Sequence, residues 1–249
     1  MRVINSGWRL ARERKEKLLV IWNCSRELNC PFESLFQPVK EFKITNIHSV
    51  ADPRKLFHQK TARNYLTNDE ILAHRNEDGC LDPDYVKSLK GNTYIFTWEW
   101  FYPSEDYHLF IPTRALQERI DQMTSRFGPS CVGVHIRRTD NQPAIGKSST
   151  NAFLSSMRQE LLQDPDAMFY LATDDKEEEA ALRREFPGRI LSNQDRCLSR
   201  DSVEGMHDAL LDLYCLAGTR KIIGSYFSSF TDIAADMHKI PKIIAGEEN

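Results

Sequence analysis

The sequence predicts an α/β fold built on a parallel sheet, and two observations carry that reading. In the second half of the chain, short β-branched runs alternate with segments of ten or more residues at helical spacing, the pattern of βαβ units. The run VGVHIRRTD at 132–140 reads as a strand that ends in a histidine, two arginines and an aspartate. Alternate side chains of a strand share a face, so His135 and Arg137 project together while Val134 and Ile136 enter apolar packing.

From the N-terminus, an amphipathic segment at 1–16 leads into a strand at 18–22. A long irregular stretch rich in aromatics follows, then a strand at 93–98 and a helix at 113–127. The pattern changes near residue 128. Beyond it the order is strand 131–137, helix 151–163, strand 168–172, helix 176–186, strand 189–192, helix 203–218, strand 221–226, helix 230–238 and strand 242–245. The expectation is two lobes, 1–128 and 129–249, with a cleft between them; the second is Rossmann-like and the first more divergent.

Composition bounds the function classes. With 249 residues and 41% hydrophobic content the chain can fill packed cores, and a net charge of -3 gives no general attraction to nucleic acid or anionic membrane. Phosphate recognition must therefore be local. No apolar stretch reaches spanning length, and the start lacks the apolar core of a signal peptide, so a cytoplasmic protein is expected. The six cysteines do not fall at zinc-site spacings, and free thiols are expected, a Cys24–Cys30 disulfide being the alternative.

Four segments carry chemistry. In open α/β sheets ligands bind beyond the carboxyl ends of the strands, and guanidinium forks suit phosphate oxygens, so Arg137 and Arg138 read as an anion site. The structural alternative is an ion pair between Arg138 and Asp140. The helix containing ALLDLYCLA at 209–217 is apolar all round except for Asp212, which is therefore expected to be buried and to need a partner. Guanine offers two neighbouring N–H donors that match one carboxylate; an arginine of the protein would serve equally. In the run KIIGSYFSSFTDIAADM at 221–237, Ser228 and Ser229 stand at a helix start, where they either bind phosphate or cap the helix. In LATDD at 171–175, Thr173 or Asp174 reads as a helix cap, and the pair Asp174 and Asp175 alternatively as a weak acidic site for a metal.

In their order and intervals, VGVHIRRTD, LATDD, LLDLYCL and IIGSYFSSF resemble the three motifs of the fucosyltransferase superfamily of GT-B fold, across roughly residues 130–237. This superfamily takes in α-1,6-, nodulation, α-1,2- and protein O-fucosyltransferases. The resemblance implies a GT-B-like α/β fold, GDP-fucose as donor, inversion at the anomeric carbon, a glycan or protein acceptor, and neither cofactor nor metal. It implies an acceptor-side first lobe and a donor-binding second lobe. Arg137 matches the arginine that holds the β-phosphate, and His135 the histidine at the nucleotide. Arg138 and Asp140 match positions supporting the loop and the sugar side, with Asp140 a possible catalytic group. Asp212 matches the aspartate that reads guanine, Ser228 and Ser229 the phosphate turn, and Asp174 and Asp175 an acidic pair that orders the site.

Two departures qualify the match. One more residue separates Asp212 from Phe227 than the α-1,6 branch would have, which leaves open which serine meets phosphate. The superfamily opens with a strand and a glycine-rich loop before its first helix, and this sequence begins at what resembles that helix. Reduced stability and doubtful activity of this chain are therefore expected, with an unpaired edge or an open core face at the strand 18–22. For the catalytic base the sequence offers Asp140, Glu99 and Asp106, and Trp98, Trp100, Phe101 and Tyr102 read either as a sugar-stacking platform or as core. Besides transfer, two readings stay open: a GDP-sugar-binding protein without turnover, and an unrelated Rossmann-like phosphate-binding enzyme.

Overall fold

The computed structural model describes residues 1–25, 28–104, 107–138, 146–199 and 201–247. It divides into two compact units, Met1–Ile111 and Pro112–Asn249.

In the first unit the amphipathic start forms helix Arg2–Glu13, whose Leu10 joins Leu66, Ile71, Leu81 and Phe101 in one apolar cluster. Strands β1 (Leu19–Asn23) and β2 (Lys43–Ile47) pair in parallel, as do β3 (Asn64–Leu66) and β4 (Thr93–Ile95). Phe32 packs at 5.0–6.4 Å from Trp22, Phe36 and Phe42. The stretch expected to be irregular thus holds β2, β3 and helices Phe32–Leu35, Pro53–Thr61, Asn68–Ala73 and Pro83–Ser88. Their brevity hid them, because runs of three to nine residues complete too few periods to reveal their type. Two of the helices open on an Asp-Pro pair. Asp52 accepts from Arg54 N, and Asp82 from Asp84 N and Tyr85 N, while proline fills the first helical position, where no N–H is needed.

The second unit is a five-stranded parallel sheet in the order β7-β6-β5-β8-β9, formed by β5 (Cys131–Ile136), β6 (Met168–Thr173), β7 (Ile190–Leu191), β8 (Ile222–Gly224) and β9 (Lys242–Ile244). All six residues of β5 are buried, as a central parallel strand covered on both faces requires. Val132, Val134 and Ile136 pack with Phe153, Met157, Phe169 and Leu182. Helices Thr150–Gln163, Lys176–Glu185, Val203–Ala217 and Ser229–His238 connect the strands, each close to its expected range. Helix Arg114–Thr124, which the sequence reading assigned to the first lobe, belongs to this second unit. Gly224 at the end of β8 has a specific reason to be glycine. A Cβ there would lie 2.4 Å from Thr231 Cγ2, so only a bare backbone lets the last helix start so close to the sheet. No helix among the described residues is long and apolar enough to cross a membrane, and all six cysteines are free thiols.

Candidate functional site

Order β5-β8 brings the chain's reversal point beside the carboxyl ends of β5 and β6, and there the second unit opens a pocket. His135, Arg137, Asp174, Arg196, Asp208 and Asp212 supply its polar lining.

The pleat sorts the end of β5 as expected. Val134 and Ile136 are fully buried in the core, while His135 turns to the pocket side. Its Nδ1 lies 2.8 Å from Thr231 Oγ1 and 3.4 Å from Ser228 Oγ, and its ring stacks on Phe230 at 4.8 Å. Arg137 is anchored through its backbone, whose N–H donates to Ser225 Oγ at 3.0 Å, and that hydroxyl in turn donates to the carbonyl of His135. The Arg137 side chain lines the pocket.

Arg138 does something different. Its Nη2 donates to Glu178 Oε1 at 2.7 Å and its Nη1 to the Ser148 carbonyl at 2.9 Å, with both ion-pair side chains only 10% exposed. Arg138 is thus ion-paired with Glu178, while the alternative pair with Asp140 falls on a residue outside the described ones. The Arg138 guanidinium, assigned to the donor from sequence, is largely packed into the protein and is not among the residues that line the pocket. Asp140 lies outside the described residues, as does Asp106. Asp174 lines the pocket and accepts from Arg138 N at 2.8 Å, which pins the turn that carries both arginines. Asp175 instead caps helix Lys176–Glu185, accepting from Glu177 N at 2.8 Å and Glu178 N at 3.1 Å.

Asp212 is buried as predicted. Its Oδ1 accepts from the buried Tyr170 hydroxyl at 2.6 Å, so the internal partner is a tyrosine rather than an arginine. Burial pushes the Asp212 carboxyl up to about 7, against the opposing effects of the Tyr170 hydrogen bond and the Arg196 charge. Tyr170 is itself raised well above its usual range by burial and by the neighbouring carboxylate. One turn earlier, Asp208 accepts from Arg119 Nη2 at 2.5 Å and from Cys197 N at 2.8 Å. Arg196 donates to Glu179 Oε2 at 2.7 Å. For Glu179, burial works against charge, but hydrogen bonds from Ser192 and Arg183 and the nearby arginine charges hold it below its ordinary value.

At the last helix, Ser228 occupies the N-cap position without a side-chain capping bond, its hydroxyl aimed at His135. Ser229, the first helical residue, is exposed. Phe227 before them takes a left-handed conformation, φ 51°, which costs a bulky residue about 1–2 kcal/mol. Sequence reasoning missed Tyr170, Glu178, Arg196, Asp208, Ser225 and Thr231. Of these, only Thr231 carried a local signal, its place three residues after Ser228 in a serine-rich helix start. In the first unit, Glu99 is paired with Arg75 at 2.7 Å, Phe101 is buried, and Trp98 is 71% exposed. Among the described residues no group of three His, Cys, Asp or Glu is placed to hold a metal ion.

No protein-family model matches the chain, and no curated protein does. Solved structures do. A NodZ α-1,6-fucosyltransferase soaked with GDP-fucose aligns with TM-score 0.66 and 18% identity, covering 95% of this chain and 87% of that one. A mutant of FUT1 from Arabidopsis thaliana in complex with GDP aligns with TM-score 0.61 and 14% identity, covering 97% and 66%. POFUT1 in its apo form aligns with TM-score 0.54 and 10% identity, covering 98% and 93%. At these identities the likeness is one of fold, and this chain has the GT-B-like fold of the fucosyltransferases.

Proposed function

We propose that this chain is a glycosyltransferase that moves fucose from GDP-fucose to a glycan or protein acceptor, with inversion and without a metal ion. One observation carries the reading: Asp212, buried with a single oxygen held by Tyr170, lines the same pocket as Arg137. A carboxylate with accepting capacity left over is suited to the paired N1–H and N2–H of guanine. Arg137 is a cation suited to the β-phosphate. The start of helix Ser229–His238, with Ser228 turned toward His135, supports diphosphate binding through its N–H groups and dipole. The four motif-like segments of the sequence and the shared fold support the choice of donor.

In the proposed reaction the acceptor hydroxyl attacks the anomeric carbon as its bond to the β-phosphate oxygen breaks. GDP departs with the electron pair, and Arg137 stabilises the charge that develops on it; a donor fixed in advance at such a position is typically worth about 3 kcal/mol. The backbone bond to Ser225 and the pinned Arg138–Asp174 turn hold that guanidinium's base in place before substrate arrives. The hydroxyl proton goes to a carboxylate, for which Asp140 and Asp106 remain the candidates alongside the Arg75-paired Glu99. Arg138, Asp175 and Glu178 act by positioning.

Calorimetric titration with GDP, with ADP and UDP as controls, tests the donor. The expected result is selective GDP binding, lost in Asp212→Ala and weakened about tenfold or more in Arg137→Ala. No GDP binding by the folded chain would sink the proposal. GDP binding without release of fucose to water or to any acceptor would assign a binding protein instead.

A further inference from the structure

We infer that Arg196 is a specificity-determining residue of the donor pocket, one that donates to the carbonyl edge of the base whose N–H edge Asp212 accepts, an inference that rests on the proposed guanine site. Arg196 stands between β7 and helix Val203–Ala217 and lines the same pocket as Asp212. Its side chain is 3% exposed. Two of its nitrogens are engaged, Nη2 with Glu179 Oε2 at 2.7 Å and Nη1 with the Asn193 carbonyl at 3.0 Å. The third, Nε, is buried and meets no acceptor among the described residues. Folded proteins rarely leave such a donor unpaired, and because Arg196 is one of the residues that line the pocket, the partner inferred for it is a ligand atom.

The anchor is built to keep the guanidinium there. Glu179 also accepts from Ser192 Oγ at 2.6 Å and from Arg183 Nη2 at 2.8 Å, so Arg196 is held by a carboxylate that is itself fixed on two sides. The groups that act on the Asp212 charge are Tyr170 from β6, Arg196, Asp208 from its own helix and Glu179 from helix Lys176–Glu185, and His135 and Arg137 line the same pocket. Of the first four, Arg196 is the cation. It favours the charged Asp212 that an N–H edge requires, while Asp208 and Glu179 disfavour it.

Guanine places its O6 acceptor directly beside N1–H. If Asp212 takes the N–H groups, the next atom along the edge needs a donor, and a guanidinium supplies one. Adenine presents an amino group at that position, donor against donor. Asp212 thus selects for the N–H pair and Arg196 against purines that lack the carbonyl.

Titration with GDP, 6-thio-GDP and IDP separates the two roles. In 6-thio-GDP a weakly accepting sulfur replaces O6 and both N–H donors remain; in IDP O6 remains and the 2-amino group is gone. The wild-type chain should prefer GDP to 6-thio-GDP about tenfold. Arg196→Met should shrink that preference below about twofold, whereas a preference for GDP over IDP, which belongs to Asp212, should persist. A preference against 6-thio-GDP that is absent in the wild type, or that persists in Arg196→Met, overturns the inference. Failure of the folded wild type to bind GDP at all overturns the guanine site beneath it. If the methionine variant does not fold, Arg196→Lys keeps a positive charge by Glu179 without Nε–H, and collapse or persistence of the same ratio is read the same way.

Discussion

The two units of this chain bury their secondary structure in opposite ways. In Pro112–Asn249 one five-stranded sheet is covered on both faces, and a central strand with no exposed residue delivers His135 and Arg137 to a pocket. In Met1–Ile111 the sheets have two strands each, helix Pro53–Thr61 buries none of its residues, and Phe57, Phe96 and Trp98 stand exposed. The contrast shows what a doubly covered sheet provides. Strands locked by neighbours on both sides end at fixed places, so polar groups at those ends are held by backbone geometry rather than by their own side-chain packing.

Substitutions test how far that contrast extends. The largest effect is expected at the centre of the second unit, where Phe169→Ala empties a fully buried site and should cost about 3–5 kcal/mol, measured by urea denaturation. Next comes Glu178→Ala, which strands the Arg138 charge in a site 10% exposed and should cost about 3 kcal/mol, seen as a lowered melting temperature. Arg137→Ala should lower GDP affinity without a comparable loss of stability, which would separate the two adjacent arginines by role. The fourth test is pH. Asp212 is raised from 3.8 to about 7 chiefly by burial, so between those values the folded protein keeps a proton that the unfolded chain has lost. This carboxyl's contribution to stability therefore falls as pH rises through that window, and Asp212→Asn should abolish the slope. On the proposed reading GDP needs the charged form, so its affinity should drop about tenfold per unit below pH 7; calorimetry showing a flat profile would count against this carboxylate as the base reader. The smallest effect belongs to the first unit. Phe57→Ala on the uncovered helix should move stability by less than about 0.5 kcal/mol, and a larger loss would mean that the exposed face is packed in solution.

The same contrast explains which parts of the fold were legible in the sequence. After Cys131 the helices of ten or more residues and the six-residue strands β5 and β6 repeat their period long enough to be read, and the regular alternation they set locates the shorter β7, β8 and β9. Strand 221–226 was read too long because Ser225 and Tyr226 are apolar-run neighbours that in fact leave the sheet, Ser225 to bond Arg137 and His135. In the first unit β3 and β4 have three residues each, too few for alternation to declare itself. The Asp-Pro pairs at 52–53 and 82–83 were readable helix starts that went unread. At the site, the burial of Asp212 followed from an all-apolar helix, whereas its partner Tyr170 stands 42 residues away in sequence. Arg138 and Glu178 are 40 residues apart. Pattern reports which face is covered; it does not report which distant side chain does the covering.

Helix Pro53–Thr61, with no buried residue, has a consequence for how the chain opens. Its amide hydrogens are protected only by the helix's own bonds, so they should exchange with solvent through local fraying. Those of β5, bonded between β6 and β8 beneath two layers of apolar side chains, wait for the whole sheet to come apart. Deuterium uptake would thus run on two clocks within one polypeptide, and the slow one keeps time for the strand that carries His135 and Arg137.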